Sequence, residues 1–598
     1  MEQVEIIQQI SELERAIAAL PPGSIAAKKV KDKTYYYHRY TADGKRTEQY
    51  IDFDAVKGLR AQIEKRKALE AELKQLKRSM PKAKPAPKKK TAYTFHTFVR
   101  IGEELLNWAL PAKNFKHREC YGKLTDYVFG DLFDRVFILY GLRRTGKTTL
   151  IRQLVLDMTP EQLAKAAFIQ TNSSDTLSGI NADLKYLEQQ GYTYVFIDEV
   201  TLMKDFIEGA ALFSDIYASS GMKIVLSGTD SLGFMFTEFE QLYDRCIMLH
   251  TTFISYREFE SVLGIKGVDK FIRYGGTMSM GGVHYNESSS FASKKSADEY
   301  IDTAIARNIQ HSLKYYQDGG HFRQLYELYQ QDELTSAINR VVEDINHRFT
   351  REVLTKTFAS NALSSAARNL LHDKEAPFDL MSNIDQDFVL SSIKKMLDIL
   401  EKEEQTVEVS DTHAYQIREY LLLLDLIMEI DQLHLPNVND REKKIAISQP
   451  GLRYAQVKAL VDAMLLDEKF NELSVVERSR VIDRVMSTIQ GRMLEDIVLL
   501  ETKIAKPRKE VFQLQFAVGE FDMVVFDPES LTCEIYEVKY SKEVVPQQYR
   551  HLIDTDKCAA CEHRYGTITG RYVIYRGEHA QVDGVEYLNV EEYLKGLA

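Results

Sequence analysis

The segment that most constrains this chain is Gly141-Leu142-Arg143-Arg144-Thr145-Gly146-Lys147-Thr148, which fits the spacing G-x-x-x-x-G-K-[ST]. The apolar run Val136-Phe137-Ile138-Leu139-Tyr140 precedes it and reads as a buried parallel strand. Thr149-Leu150-Ile151-Arg152-Gln153-Leu154-Val155-Leu156 follows with helical apolar spacing. A strand, a glycine loop and a helix in that order aim successive backbone N–H groups and a helix N-terminus at one point, as nucleotide phosphates require. The residues expected to bind nucleotide are Gly141, Arg144, Thr145, Gly146, Lys147, Thr148 and Thr149. Lys147 is expected to reach the β- and γ-phosphates of ATP, and the Thr148 hydroxyl to help hold Mg²⁺.

A chain of 598 residues is too long for one hydrophobic core, and its 44% apolar and 28% charged residues are those of a globular protein. No stretch reaches the ~18 uninterrupted apolar residues of a membrane span, and Met1–Ala16 has no apolar signal core. Five scattered cysteines (Cys120, Cys246, Cys533, Cys558, Cys561) make no disulfide framework, so a cytoplasmic protein without a membrane partner is expected. The net charge of −11 is uneven: residues 1–91 carry 21 Lys/Arg against 12 Asp/Glu, which leaves about −20 for the rest. A basic arm on an acidic body suits an anionic partner, nucleic acid first; a solvated helix face is the competing reading.

The organisation reads as multidomain α/β. Residues 1–78 predict a basic helix–hairpin–helix module: a helix over Glu2–Leu20, strands at 35–40 and 48–51 around Ala42-Asp43-Gly44, and a charged helix over Asp54–Lys77, half of a coiled pair. Its tyrosines, interleaved with lysines and arginines, either stack on bases, line a protein groove or pack across strands. Residues 79–91 are a Pro/Lys linker. From 92 to 290, strands at 136–140, 166–171, 193–198 and 223–228 alternate with helices, as a parallel sheet requires. Residues 291–490 read as mostly helical, with Leu426–Ile430 and Lys444–Ser448 flanking a polar turn and suggesting a winged helix. Residues 491–598 return to mixed α/β.

Tyr194–Glu199 ends a strand in two carboxylates. Beside a phosphate loop, Asp198 is placed to hold Mg²⁺ and Glu199 to polarise the attacking water. Lys223–Ser231 is another strand ending in small polar residues, with Ser227, Thr229 and Asp230 as candidates to contact the γ-phosphate or the water.

Gly141–Thr148, Val195–Glu199, Leu226–Ser231 and Arg245 with Ser255-Tyr256-Arg257-Glu258-Phe259 resemble the prokaryotic AAA-type P-loop ATPases of the additional-strand, catalytic-Glu class. More narrowly, they resemble the branch with a helical or winged-helix region and a C-terminal nuclease-fold domain; the resemblance spans roughly 95–598. It implies that Arg245 senses the γ-phosphate, in cis or from a neighbouring subunit of a homo-oligomer. Taken alone, Arg245 reads equally as a surface ion-pair partner.

Gly519–Phe526 and Cys533–Lys539 look like adjacent strands, and Asp522, Glu537 and Lys539 have the D-x14-E-x-K spacing of a PD-(D/E)xK nuclease core. There, two carboxylates hold Mg²⁺ and a lysine orients water. Glu537 and Lys539 fall on one strand face by period-two alternation. By resemblance, Glu495 on the preceding helix is a further catalytic acid, and Gln547–Leu552 a helix completing the site. The resulting expectation is an ATP-hydrolysing protein whose nucleotide state controls a DNA-acting nuclease-like domain. The alternatives are a nucleotide-switched binder of DNA or protein with a silent nuclease fold, and a scaffold that recruits a protein through residues 1–78.

Overall fold

The computed structural model describes residues 19–30, 33–42, 45–79, 93–203, 205–229, 242–277, 294–302, 322–370, 408–436, 441–465 and 470–597, with a few isolated positions besides. The chain divides into two compact units, Met1–Thr94 and Phe95–Ala598.

The first unit is a three-stranded antiparallel sheet, β1 (Ser24–Val30), β2 (Lys33–Ala42) and β3 (Lys45–Ile51), followed by α1 (Phe53–Ser79). The expected hairpin is therefore two-thirds of a sheet. β1, with the sequence SIAAKKV, has no aromatic residue and only Ile25 and Val30 as β-branched ones, at its two ends, yet it pairs with β2 from Ser24↔Arg39 to Val30↔Lys33. Ile51, Val56, Ile63 and Ile17 are buried, and Arg66 of α1 donates to the carbonyls of Ile17 (2.9 Å) and Leu20 (2.6 Å). Most of the helix expected at Glu2–Leu20, and all of the linker but Ser79, lie outside the described residues.

In the second unit, a six-stranded sheet has the order β4-β6-β7-β8-β5-β9. Its strands are β4 (Phe98–Ile101), β5 (Val136–Tyr140), β6 (Ala166–Gln170), β7 (Tyr194–Asp198), β8 (Lys223–Gly228) and β9 (Cys246–His250). All pairs are parallel except the edge pair β4–β6. The inner strands read as unbroken apolar runs because helices cover both faces. β8 is inserted between β5 and β7, so the polar ends of all three strands gather at one edge. β4 and β9, edge strands that the sequence did not announce, complete the sheet. The lone tryptophan, Trp108, is partly buried. It stacks on Phe168 of β6 (ring centroids 3.9 Å apart), and the Arg152 guanidinium lies 4.9 Å from its ring.

A second sheet has the order β11-β10-β12-β13-β14-β15-β17-β16. Its strands are β10 (Ile427–His434), β11 (Arg441–Ile447), β12 (Glu510–Gln515), β13 (Glu520–Asp527), β14 (Thr532–Lys539), β15 (Thr567–Tyr575), β16 (Ala580–Val582) and β17 (Val585–Asn589). This corrects the winged-helix reading. The hairpin β10–β11 is no free wing: β10 pairs in parallel with β12, Gln432↔Gln513 to His434↔Gln515, and extends the C-terminal sheet. A half-apolar strand edge is protected by pairing rather than left open.

The helices used below are α2 (Lys147–Asp157), α3 (Tyr256–Ser261), α4 (Lys294–Ile301), α5 (Leu334–Leu370), α6 (Asp411–Leu423), α7 (Pro450–Met464), α8 (Val475–Ala505) and α9 (Thr555–Tyr565). α8 runs unbroken through position 490. The helix expected at Gln547–Leu552 is also corrected: Pro546–Gln548 form one 3₁₀ turn, and irregular chain continues to Asp554. The regular helix α9 begins where the Asp554 side chain accepts from the N–H groups of Asp556 and Lys557.

Candidate functional site

The phosphate loop leaves β5 through Gly141 (φ +134°), where an added Cβ would lie 2.5 Å from the Thr251 carbonyl, and enters α2 through Gly146 (φ +91°). Only glycine fits both demands, close approach and positive φ. Arg144 also has positive φ (65°). Thr145 is buried and donates to the Leu142 carbonyl at 2.8 Å. Lys147 is buried and donates to the carbonyls of Gly141 (2.7 Å) and Leu142 (2.8 Å). Burial brings its pKa down to about 8 against the pull of Glu199 and Asp198. Thr149 follows on the first turn of α2.

Thr148 Oγ1 donates to Asp198 Oδ2 at 3.0 Å, and the buried Ser227 hydroxyl donates to Asp198 Oδ1. Thr229 Oγ1 donates to Glu199 Oε2 at 3.2 Å. Glu199 adopts the left-handed region (φ 57°, ψ 36°), a strained conformation for a non-glycine residue. Burial, and then the Asp198 charge, raise its carboxyl above the usual range, opposed by Lys147 and Arg143. A hydroxyl beside a carboxylate at the mouth of a glycine loop is a donor set that would suit a hydrated Mg²⁺. Asp230 lies outside the described residues.

Arg245 is elsewhere. It precedes β9, whose Cys246 pairs with Val136 at the start of β5, whereas the loop leaves the other end of that strand. Four strand steps of ~3.3 Å, about 13 Å, separate the two ends. Arg245 instead makes two 2.8 Å bonds to Asp215, both side chains about half exposed. A γ-phosphate contact in cis is thereby excluded.

The arginine that does touch the loop is Arg118, to which nothing in the sequence pointed. Buried to 5% exposure, it donates to the Thr145 carbonyl (2.8 Å) and makes a two-pronged pair with Glu258 of α3 (3.0 and 2.6 Å). α3 is capped by Ser255, and its first N–H, on Tyr256, donates to Glu501 Oε1 of α8 at 2.7 Å. Six residues earlier on α8, about 9 Å along its axis, stands Glu495. A second tie runs into the helical region: the Leu142 side chain is fully buried among Tyr300 of α4, Ile417 of α6 and Leu452 of α7. The Tyr300 hydroxyl donates to the Arg143 carbonyl (3.3 Å) and accepts from Gln449 (2.8 Å).

Glu501 is fully enclosed, and burial pushes its carboxyl up to about 8. A carboxyl raised above its unfolded value stabilises fully below that value, near 4.5, and loses its contribution as pH climbs towards 8. Each pH unit in that window is worth about 1.4 kcal/mol. Glu501→Gln keeps the acceptor for Tyr256 and cannot ionise. Its melting temperature relative to wild type is expected to rise steadily from pH 5 to about pH 8, measured by thermal denaturation; a pH-independent difference would refute this.

On the C-terminal sheet, continuing the register Met523↔Tyr536 sets Asp522 opposite Glu537. Lys539 Nζ donates to Asp522 Oδ2 (2.9 Å) and to Glu537 Oε2, and the Val538 N–H donates to Asp522 Oδ2 (2.8 Å). Burial and then the Asp522 charge hold the Glu537 carboxyl well above the ordinary range. Burial works against the Asp522 charge, but Lys539 and the Val538 amide outweigh it and keep that carboxyl low. Glu537 Oε1 is buried with no hydrogen-bond partner, an orphaned acceptor suited to a cation. Glu495 senses the charges of Asp522 and Lys539, but its bond is to Arg492; burial pushes it up to about 7. No group of three or more metal-ligating side chains occurs among the described residues, so two carboxylates are what the site offers. Cys558 and Cys561 are buried on α9.

Residues 134–260 match the family model of an AAA domain, and residues 3–61 match that of a domain of unknown function (DUF6788). No curated protein matches the chain. Among solved structures, the Aeropyrum pernix ORC1 protein in complex with DNA aligns at 12% identity, covering 62% of this chain and 98% of that one, with a TM-score of 0.20; a score that low equates no domain of the two. The chain thus contains an AAA-type P-loop domain that holds the phosphate loop, Asp198, Glu199, Ser227 and α3. No helix among the described residues is long and apolar enough to cross a membrane.

Proposed function

We propose that the chain binds and hydrolyses ATP with Mg²⁺ and uses its nucleotide state to control a DNA-acting, nuclease-like site on the C-terminal sheet. The observation that carries the first half is the convergence of Lys147, Thr148, Asp198, Glu199, Ser227 and Thr229 at the C-terminal ends of β5, β7 and β8. Ligands of open α/β sheets bind at that edge. The α2 N-terminus and loop amides cradle the phosphates, and Lys147 offsets charge on the γ-phosphoryl group. Thr148 and Asp198 would hold Mg²⁺, which neutralises phosphate charge when bound. Glu199, its proton affinity raised by burial, orients and deprotonates the attacking water. Thr229 fixes the Glu199 carboxylate and Ser227 the Asp198 carboxylate. Arg245 keeps only the role of a contact made across subunits of a homo-oligomer.

In this reading the chain carries a basic module over 1–78, a linker over 79–91, the ATPase over 92–290, a helical connector over 291–490 and a nuclease-like domain over 491–598, to whose sheet β10–β11 of the connector are added. Control is supported by the buried line Thr145–Arg118–Glu258–α3–Glu501–α8, which ends on the helix carrying Glu495. At the C-terminal site, Asp522 and Glu537 would hold Mg²⁺, which supplies a polarised phosphate and an acidified water when bound. Lys539 orients the water and offsets transition-state charge, and Glu495 is a further catalytic acid.

One observation favours the alternative of a silent, DNA-gripping fold: Lys539 already bonds both carboxylates. Incubation of the full chain with plasmid, Mg²⁺ and ATP separates the two. Cleavage is expected to need Mg²⁺ and to fall at least about 10²-fold in Glu537→Ala and Lys539→Ala. Equal cleavage by all three proteins would end the nuclease reading.

A further inference from the structure

In the first unit, β-sheet alternation sorts the side chains into two faces. Ile25, Tyr36, His38 and Ile51 share one face; His38 and Ile51 are buried, as are Val56 and Ile63 of α1, and the Tyr36 ring meets Phe53 of α1 with centroids 6.1 Å apart. The opposite face presents Lys28 of β1, Tyr35, Tyr37 and Arg39 of β2, and Glu48 and Tyr50 of β3. The three tyrosines form a continuous aromatic strip: Tyr50 has its ring centroid 6.3 Å from Tyr35 and 5.9 Å from Tyr37, and is 55% exposed. Lys28 Nζ lies 4.8 Å from the centre of the Tyr37 ring. Lys28 and Arg39 flank the strip, and both are held by a single acid, Glu48, at 2.6 and 2.5 Å.

Tyr35 and Tyr37 are half-buried and Tyr50 is exposed, and packing against α1, whose Phe53 meets Tyr36 on the other face, does not account for the strip. Residues 24–51 carry seven Lys/Arg against three Asp/Glu, and the whole arm to residue 91 is +9, so the chemistry that complements the strip is flat, apolar and anionic. A nucleobase supplies the first two and its phosphate the third. We propose that this sheet face is a stacking platform for single-stranded nucleic acid: bases lie on Tyr35, Tyr37 and Tyr50, and Lys28 and Arg39 take the adjoining phosphates. A duplex keeps its bases stacked on one another and cannot use the strip, so the platform discriminates by strandedness rather than by sequence. Glu48 acts as an internal competitor, occupying the two cations until a phosphate displaces it. The inference depends on neither the ATPase nor the nuclease reading.

The test is fluorescence anisotropy of the full-length protein with a fluorescein-labelled 20-mer oligothymidylate, in EDTA so that nothing is cut, across a salt series. Tyr50→Val and Tyr37→Val are expected to weaken binding about 5- to 100-fold each with the salt slope unchanged. Lys28→Ala is expected to make the slope of log K against log salt shallower by about 0.7. Glu48→Gln should tighten binding by several-fold, an outcome that no folding defect can mimic. Circular dichroism checks that the valine variants keep the sheet. Unchanged affinity in Tyr50→Val together with no gain in Glu48→Gln overturns the proposal, as does equal, tyrosine-independent binding of duplex. If the ATPase and cleavage assays fail while these shifts hold, only the function proposed above is lost.

Discussion

Replacing Glu199 by glutamine lowers ATP turnover about 10²- to 10⁴-fold while ATP still binds with affinity within a few-fold of wild type. The amide keeps the shape of the carboxylate and still accepts from Thr229, but it cannot take a proton from water. The measurement is steady-state phosphate release beside the affinity for a fluorescent ATP analogue. More than a tenth of wild-type turnover in Glu199→Gln would remove Glu199 from the role of base. Lys147→Ala provides the contrast, since it loses the ammonium that meets the phosphates and should fail in binding as well as in turnover.

Arg118→Met produces the second large effect, on stability. The guanidinium donates to the Thr145 carbonyl, the Phe253 carbonyl and both oxygens of Glu258, and its loss strands a buried carboxylate under the phosphate loop. Breaking one side of such a pair costs about 3–5 kcal/mol. The expected result is a fall in melting temperature on the order of 10 °C, read by calorimetry. The double variant Arg118→Met/Glu258→Met separates charge from support. It should recover much of the lost stability, because no charge is left buried, yet remain slow in ATP turnover, because Thr145 has lost its anchor. Full recovery of turnover in the double variant would show that Arg118 does not position the loop.

How far the chain could be read from its letters depended on whether partners were close in sequence. β5, β7 and β8 were legible because buried parallel strands are unbroken apolar runs. The Asp522–Glu537–Lys539 group was legible because two neighbouring antiparallel strands join through a short turn, so their spacing encodes their registry. Arg118 carried no signal: it is one arginine in the polar stretch Asn114–Glu119, and its partner lies 140 positions away. The hairpin β10–β11 was visible as a hairpin, but its membership of the C-terminal sheet rests on a parallel pairing with β12, some 80 residues on, which no local pattern announces. Arg245 misled for the converse reason: family spacing suggested a γ-phosphate contact, and only the direction of β5 reveals that it stands at the wrong end of the sheet. Boundaries drawn from composition missed that Leu142 of the phosphate loop is buried among side chains beyond residue 290.

Trp108 gives the protein an optical property of its own. It is the sole indole in 598 residues, and it rests on Phe168 with a charge from α2, that of Arg152, against its ring. A cation beside an indole shifts its emission, and Arg152 rides on the helix whose N-terminus carries Lys147 and Thr148. Tryptophan emission from the unmodified, full-length chain is therefore a single-site gauge of that helix, free of the averaging that clouds proteins with many indoles. A nucleotide that moves α2 reports its own arrival as a change of colour.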